Sequence, residues 1–405
     1  MIRINIIIML CILTLIIKAQ DHYSCNSQRY RLNVFENTVI TKNIQFSIEE
    51  TIGGRTFPLY MDIYEPAEDT FSKRPLVVLA FGGSYINGTR RDLEFMCKRF
   101  AKKGYVAVSI DYRLYDLPLI PFPTEAEMKD VVVRSIKDMS SALLYLDSTA
   151  KNGNKYGLDM DWVYVGGVSS GAVTANHFAM LDSLNLVGNN LLNLINKHSP
   201  IPGISDNNKL VKIRGVINFS GALNDASWID NNDPPFISFH DDGDPTVPYK
   251  NGNAQIFGLD IVYCEGSFTM DSVAKSKSVN SILNTIASNR HISYLLDVES
   301  SQQVIDESAI FMFKMICSET AAIEEVNKID AFHVYPNPFK DKLTITMQLK
   351  NAGLIKILDN QGKVIVKTGL SGSTQSFKTS SLPKGVYYLI FNIDGQDFTQ
   401  TLIKE

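Results

Sequence analysis

The chain opens with Arg3 and an apolar run from Ile6 to Ile17, closed by Lys18-Ala19-Gln20. A membrane-spanning helix needs roughly 20 consecutive apolar residues. This run stops well short of that, and its basic start and small or polar end predict a secretory signal peptide over residues 1–20. No later run approaches spanning length, so the mature chain is expected to have no transmembrane segment. From Ile44 to Cys317, short β-rich runs alternate with stretches of helical spacing, which predicts an open, mostly parallel sheet with helices on both faces. Ile44–Ile52 and Tyr60–Tyr64 flank a glycine turn and predict an opening hairpin. The continuous apolar runs Leu76–Phe81 and Val106–Ile110 have the character of strands buried on both faces. Met128, Val131, Val132, Ile136, Met139, Leu143 and Leu144 place one apolar stripe on a helix from Glu125 to Leu146. Further strands are expected at Val163–Val168, Gly215–Phe219, Phe236–His240 and Ile292–Val298, with a helix from Gly171 and a last one over Val304–Cys317.

After Cys317 the pattern changes. A charged stretch, 319–331, predicts a linker between an α/β domain over 21–318 and a small all-β sandwich over 332–405. Its strands are expected at Leu343–Met347, Leu354–Leu358, Lys363–Lys367 and Val386–Phe391, with turns at Asn360-Gln361-Gly362, Pro383-Lys384-Gly385 and Asp394-Gly395.

Composition narrows the partners. Of 405 residues, 45% are hydrophobic and 20% charged, enough apolar material for a buried core. The net charge of -4, with no basic run beside an aromatic platform, excludes the usual signature of nucleic-acid binding. Once Cys11 leaves with the leader, Cys25, Cys97, Cys264 and Cys317 remain, an even set that permits two disulfides in an exported protein. None has metal-site spacing, and no metal or organic cofactor is expected.

Three segments carry chemistry. Gly167-Val168-Ser169-Ser170-Gly171 matches Gly-x-Ser-x-Gly between an apolar strand and a helix rich in small residues, the setting in which a strained turn lifts a nucleophilic serine above the sheet. Phe81-Gly82-Gly83-Ser84-Tyr85 leaves the first long buried strand. It reads either as an ordinary glycine turn or as an oxyanion hole, in which N–H groups at Gly82 and Gly83 act with that of Ser170. The loop after the strand ending at His240 offers Asp241, Asp242 and Asp244 as the acid that would orient an imidazole, with Asp244 favoured.

In one order along the chain stand the opening hairpin, Phe81-Gly82-Gly83, Ile110-Asp111-Tyr112-Arg113-Leu114, the serine elbow and His240–Tyr249. On those segments, residues 44–317 resemble the α/β-hydrolase family, in its carboxylesterase and lipase-like branch. The resemblance implies ester hydrolysis with Ser169 as nucleophile and Asp244 as acid. It also implies a histidine after the last strand, in a loop that here reads Asp297–Val304 and has Gln302 where the histidine is expected. His291, preceding the expected strand Ile292–Val298, is placed by that reading at the opposite edge of the sheet, and His240 at a strand end, so the catalytic histidine stays unassigned. Phe81 replaces the first histidine of the family's His-Gly-Gly turn, a change that leaves backbone donors intact.

A second resemblance rests on Val334–Phe339, Leu358–Lys363, Leu382–Tyr387 and Thr401–Lys404, which look like the type A sorting domain of the bacterial type IX secretion system. It implies export by that machinery, followed by release or surface attachment. The leading expectation is a secreted serine esterase acting on a small-molecule or polymer-linked ester. The alternatives are an exported binding module that has lost its histidine and an exported peptidase on the same fold.

Overall fold

A computed structural model describes residues 28–181, 184–204, 211–321, 332–347, 352–359, 363–369, 374–393 and 396–405. The expected signal peptide, Cys25, most of the expected linker and the turns at Asn360–Gly362 and Asp394-Gly395 lie outside them. The chain divides into two compact units, the first reaching Ile316 and the second running over Cys317–Glu405.

The first unit is built on an eight-stranded sheet. Its strands are β1 (Thr38–Glu50), β2 (Thr56–Pro66), β3 (Arg74–Ala80), β4 (Val106–Ile110), β5 (Leu158–Val168), β6 (Ile213–Phe219), β8 (Phe236–Asp241) and β11 (Ser281–Ile286), in the order β1-β2-β4-β3-β5-β6-β8-β11. The hairpin β1–β2 is antiparallel and β2 runs antiparallel to β4, whereas every later pairing is parallel. Every residue of β3 and β4 is buried, as their unbroken apolar runs require of strands covered on both faces. Helices α1 (Glu94–Lys102), α2 (Glu125–Lys151), α3 (Ser170–Met180), α4 (Asn189–His198), α5 (Ser267–Ser276) and α6 (Val298–Ala321) supply the cover. α2 begins at a capping box, in which Thr124 Oγ1 accepts from the Glu127 N–H and the Glu127 carboxylate accepts from the Thr124 N–H. Its apolar stripe, Met128, Val131, Ile136, Met139 and Leu143, is buried. α6 is tied to the sheet where the Tyr164 hydroxyl of β5 donates to the Met312 carbonyl, 3.1 Å.

Two expectations about this unit are corrected. Ile292–Val298 is no strand: Ile292 has φ 51°, Ser293–Leu295 form one 3₁₀ turn and Val298 already begins α6. Of the apolar residues that suggested a strand, Tyr294 is buried and its hydroxyl donates to the Phe239 carbonyl at 2.8 Å, while Leu296 and Val298 are exposed. The true last strand is β11, an edge strand paired only with β8 and mostly half-buried, so its sequence lacks the dense apolar run of the central strands. The four cysteines do not make the two disulfides that their number permits. Cys97 and Cys264 are free and buried, while Cys317 is disulfide-bonded.

Above the sheet, the short strand β7 (Ala222–Leu223) joins a hairpin of β9 (Asn251–Ile256) and β10 (Leu259–Gly266) in a three-stranded antiparallel sheet.

The second unit is all β among its described residues. One sheet contains β12 (Phe332–Tyr335), β13 (Lys342–Met347) and β16 (Thr374–Lys378); the other contains β15 (Val364–Gly369), β14 (Ala352–Leu358), β17 (Gly385–Ile393) and β18 (Gln396–Lys404). Leu343 and Ile345, Ile355 and Ile357, and Tyr387 and Leu389 are buried in one shared core, the period of two expected of strands with one face inward. No helix among the described residues is long and apolar enough to cross a membrane.

Candidate active site

β5 runs along the centre of the sheet and ends at Val168, and α3 starts at Ser170, so Ser169 is the single residue of the turn between them. Its backbone lies at φ 53°, ψ -119°, a conformation that costs a non-glycine residue free energy and is held here by its surroundings. The Ser169 N–H donates to the Phe219 carbonyl of β6 at 2.8 Å. Glycine at 171 is a spatial necessity: a Cβ there would stand 2.1 Å from the Ala80 carbonyl oxygen at the end of β3. At Gly167 it would stand 2.5 Å from the same oxygen.

Beside the elbow, Gly83, Ser84 and Tyr85 have positive φ (134°, 56° and 60°), a tight turn closed by the Ile86 N–H donating to the Gly83 carbonyl at 3.0 Å. Gly82 is pressed against the elbow, since a Cβ would lie 3.3 Å from that of Ser169. Two tyrosines lock this turn to α3. The Tyr112 hydroxyl donates to the Phe81 carbonyl at 2.7 Å and lies 3.1 Å from Ser170 Oγ; that of Tyr85 donates to the Ser170 carbonyl at 2.8 Å. Phe81 stacks on Tyr112 with ring centroids 4.3 Å apart, which explains an aromatic residue at this position. The charged neighbours of Tyr112 are occupied with structure: Asp111 pairs with Arg90 and Arg113 with the buried Asp138, both at 2.7 Å.

The imidazole at the serine is that of His291. Its Nε2 is 2.8 Å from Ser169 Oγ and its Nδ1 is 2.6 Å from Asp244 Oδ2. Because a carboxylate only accepts, Nδ1 carries the proton and Nε2 presents its lone pair to the serine hydroxyl. The Asp244 side chain is fully buried, and burial alone would raise its pKa. Hydrogen bonds from His240, His291 and the Thr246 N–H outweigh that and hold it down at about 2. All three competing aspartates are used. Asp241 accepts from the N–H of Ser293 at 2.9 Å and also from its hydroxyl, and Asp242 accepts from the Ser288 N–H at 3.1 Å. The loops carrying acid and imidazole are therefore stapled together on either side of the Asp244–His291 contact.

Residues 61–226 match the BD-FAE family, and residues 333–405 match the family described as the secretion system C-terminal sorting domain. The first unit has the α/β-hydrolase fold, and residues 333–405 match a secretion sorting domain. That sorting domain indicates a secreted or cell-surface protein. The chain matches no curated protein. Among solved structures it is similar to Thermogutta terrifontis esterase 2 phosphoramylated by tabun, with 17% identity, 69% of this chain and 96% of that chain covered, and a TM-score of 0.48. It is also similar to an inhibited esterase B from Lactobacillus rhamnosis, with 17% identity, 73% and 92% covered, and a TM-score of 0.46.

Gln302 is not at Ser169. It lies in α6, where its Nε2 donates to Asp306 at 2.5 Å, and the imidazole that sequence reasoning sent to the far edge is the one on Ser169. The cause is the misread strand: with β11 ending at Ile286, His291 follows the last strand instead of preceding it. The signal was present in the polar loop Ser288-Asn289-Arg290-His291 but was masked by the apolar run after it. His240 is fully buried, with Nδ1 2.7 Å from Ser267 Oγ, Nε2 3.1 Å from the Val247 carbonyl oxygen and 3.4 Å from Asp244 Oδ2. It packs behind the acid and does not touch the serine. Among the described residues, no group of three or more His, Cys, Asp or Glu could hold a metal ion.

Proposed function

We propose that this exported hydrolase cleaves carboxylic esters through an acyl-enzyme on Ser169, with His291 as general base and acid and Asp244 as its orienting carboxylate. One observation carries the reading: the continuous hydrogen-bonded chain Ser169 Oγ, His291 Nε2, His291 Nδ1, Asp244 Oδ2, with contacts of 2.8 and 2.6 Å. In the first half-reaction His291 takes the Ser169 proton as Oγ attacks the ester carbonyl carbon, and the carbonyl π pair moves onto oxygen. The N–H groups of Gly83 and Ser170, on the turn shaped by Gly82 and at the α3 N-terminus, face the growing negative charge. The tetrahedral intermediate collapses, the alcohol leaves with the proton from His291, and the acyl group stays on Ser169. Water then repeats the sequence and frees the acid. Neither half-reaction calls for a cofactor. Export fits removal of residues 1–20 and passage through type IX machinery that reads residues 332–405.

The reading of a binding module without turnover rested on a missing base, and with His291 on Ser169 it loses that support. The test is active-site labelling. A fluorophosphonate probe is expected to label the wild-type protein stoichiometrically and Ser169→Ala not at all, each assayed alongside p-nitrophenyl butanoate hydrolysis. Labelling that persists in Ser169→Ala, or folded wild type that takes no label, would sink the proposal.

A further inference from the structure

The two N–H groups read above as facing the developing charge belong to different parts of the chain. That of Gly83 lies on the turn that leaves β3, and that of Ser170 opens α3. No covalent geometry fixes the distance between them, so whatever ties the two segments together decides how well both reach one oxygen.

The ties are side chains, and they converge on Ser170. Tyr112 donates its one hydroxyl proton to the Phe81 carbonyl at 2.7 Å, so the Ser170 hydroxyl is the donor in the 3.1 Å contact between Ser170 Oγ and Tyr112 Oη. The Ser170 carbonyl accepts from the Tyr85 hydroxyl at 2.8 Å. Phe81 comes two residues before Gly83 and Tyr85 two residues after it, so the phenols grip the turn on both sides of the Gly83 N–H and close on one residue of α3. Their rings meet edge to face with centroids 5.8 Å apart. Both are buried, and burial raises the pKa of each hydroxyl, so both stay protonated donors.

The backbone supplies an independent observation. Tyr85 lies in the left-handed region at φ 60°, where a side chain is disfavoured and glycine is not. The fold keeps a tyrosine there at a conformational cost, and its hydroxyl on the Ser170 carbonyl is what glycine could not supply.

We infer that Tyr112 and Tyr85 are positioning residues for the oxyanion site, their hydroxyls setting the spacing between the Gly83 and Ser170 N–H groups. This rests on the serine-hydrolase reading above. An ester carbonyl oxygen carries little charge when the substrate binds and a full one in the tetrahedral intermediate, so misplaced donors are felt in the chemical step. Both half-reactions pass through such an intermediate, so both slow, kcat falls and KM holds.

The experiment measures kcat and KM for p-nitrophenyl butanoate and the inhibition constant of a butyl trifluoromethyl ketone. Ser169 Oγ adds to the ketone carbonyl carbon, the π pair moves onto oxygen and the serine proton passes to His291, so the adduct carries the oxyanion without a leaving group. The full-length protein is compared with Tyr112→Phe, Tyr85→Phe, Ser170→Ala, Ser169→Ala and Tyr164→Phe. The last is the control, because it deletes a buried hydroxyl that ties α6 to the sheet and not the turn to α3.

Tyr112→Phe and Tyr85→Phe are each expected to lower kcat about ten-fold, less than the roughly 10²- to 10³-fold lost with a whole donor, and to leave KM within about two-fold. The ketone's inhibition constant should rise by the factor by which kcat falls, since both report the oxyanion. Ser170→Ala removes the partner of Tyr112 and keeps the backbone N–H. It should give the same pattern, and adding it to Tyr112→Phe should cost nothing more. Tyr164→Phe should stay within about two-fold of wild type in every constant. Unchanged kcat, a loss confined to KM, a kcat loss with ketone affinity intact, or an equal loss in Tyr164→Phe overturns the positioning role and leaves the esterase standing. If a tyrosine variant does not fold, Ser170→Ala decides alone: unchanged kcat and ketone affinity there overturn the role. Wild type with neither Ser169-dependent turnover nor ketone inhibition overturns the function reading, and the positioning role falls with it.

Discussion

Replacing His291 with alanine is expected to lower kcat/KM for ester hydrolysis by about 10⁵-fold, close to the effect of removing the nucleophile itself, because members of a hydrogen-bonded catalytic unit fail together. The geometry leaves no substitute base: His240 is buried behind Asp244, with its nitrogens facing Ser267 and the Val247 carbonyl. Gln302→Ala should stay within about two-fold of wild type, since its side chain contacts Asp306 and not the serine. The paired measurement is p-nitrophenyl butanoate kinetics on both variants, with circular dichroism to verify folding. Comparable losses in the two variants, or an active His291→Ala, would show that the proton leaves Ser169 by another route.

Asp244→Asn is expected to cost about 10⁴-fold in kcat, since the amide can donate where His291 Nδ1 needs an acceptor, and the wrong tautomer then faces Ser169. The same carboxylate makes a second, independent prediction about stability. Its pKa is lowered from 3.8 to about 2 in the folded protein, so the unfolded chain binds its proton more readily. Its contribution, about 2 kcal/mol, is fully present above pH ~4 and is lost as pH falls towards about 2. Urea unfolding at pH 6 and at pH 2.5 should therefore show wild type losing about 2 kcal/mol more than Asp244→Asn over that interval. Equal losses would mean that the buried carboxylate is not held ionised by its three donors.

Much of this protein was legible where burial leaves a strong mark on composition. β3 and β4 are buried throughout and read as unbroken apolar runs, and β4 was expected over the very residues it occupies. The serine elbow was legible for a different reason: glycines at 167 and 171 are forced by the Ala80 carbonyl, and a steric requirement leaves a fixed spacing. The histidine was not legible, because its position depends on where the last strand ends. β11 is an edge strand of mostly half-buried residues, Ser281–Ile286, whose pattern is weak, while Ile292-Ser293-Tyr294-Leu295-Leu296 is apolar although only Tyr294, which packs on Phe219 and Phe239, is buried. Apolar residues do not always report burial: Leu296 and Val298 of the expected strand are exposed, whereas the less apolar β11 is mostly half-buried. Nor could spacing rank the three aspartates, because their distinct roles depend on a loop from elsewhere in the chain.

Ser169 and His291, joined in the hydrogen-bonded chain to Asp244, sit on strands of unequal support. Ser169 stands at the end of β5, which has a bonded neighbour on each side, whereas His291 hangs from β11, which has one. Outer strands open at a smaller free-energy cost than central ones. Under the proposed mechanism, inactivation then runs ahead of denaturation: fraying at one margin of the sheet withdraws His291 and leaves Ser169, its elbow and most of the hydrophobic core in place.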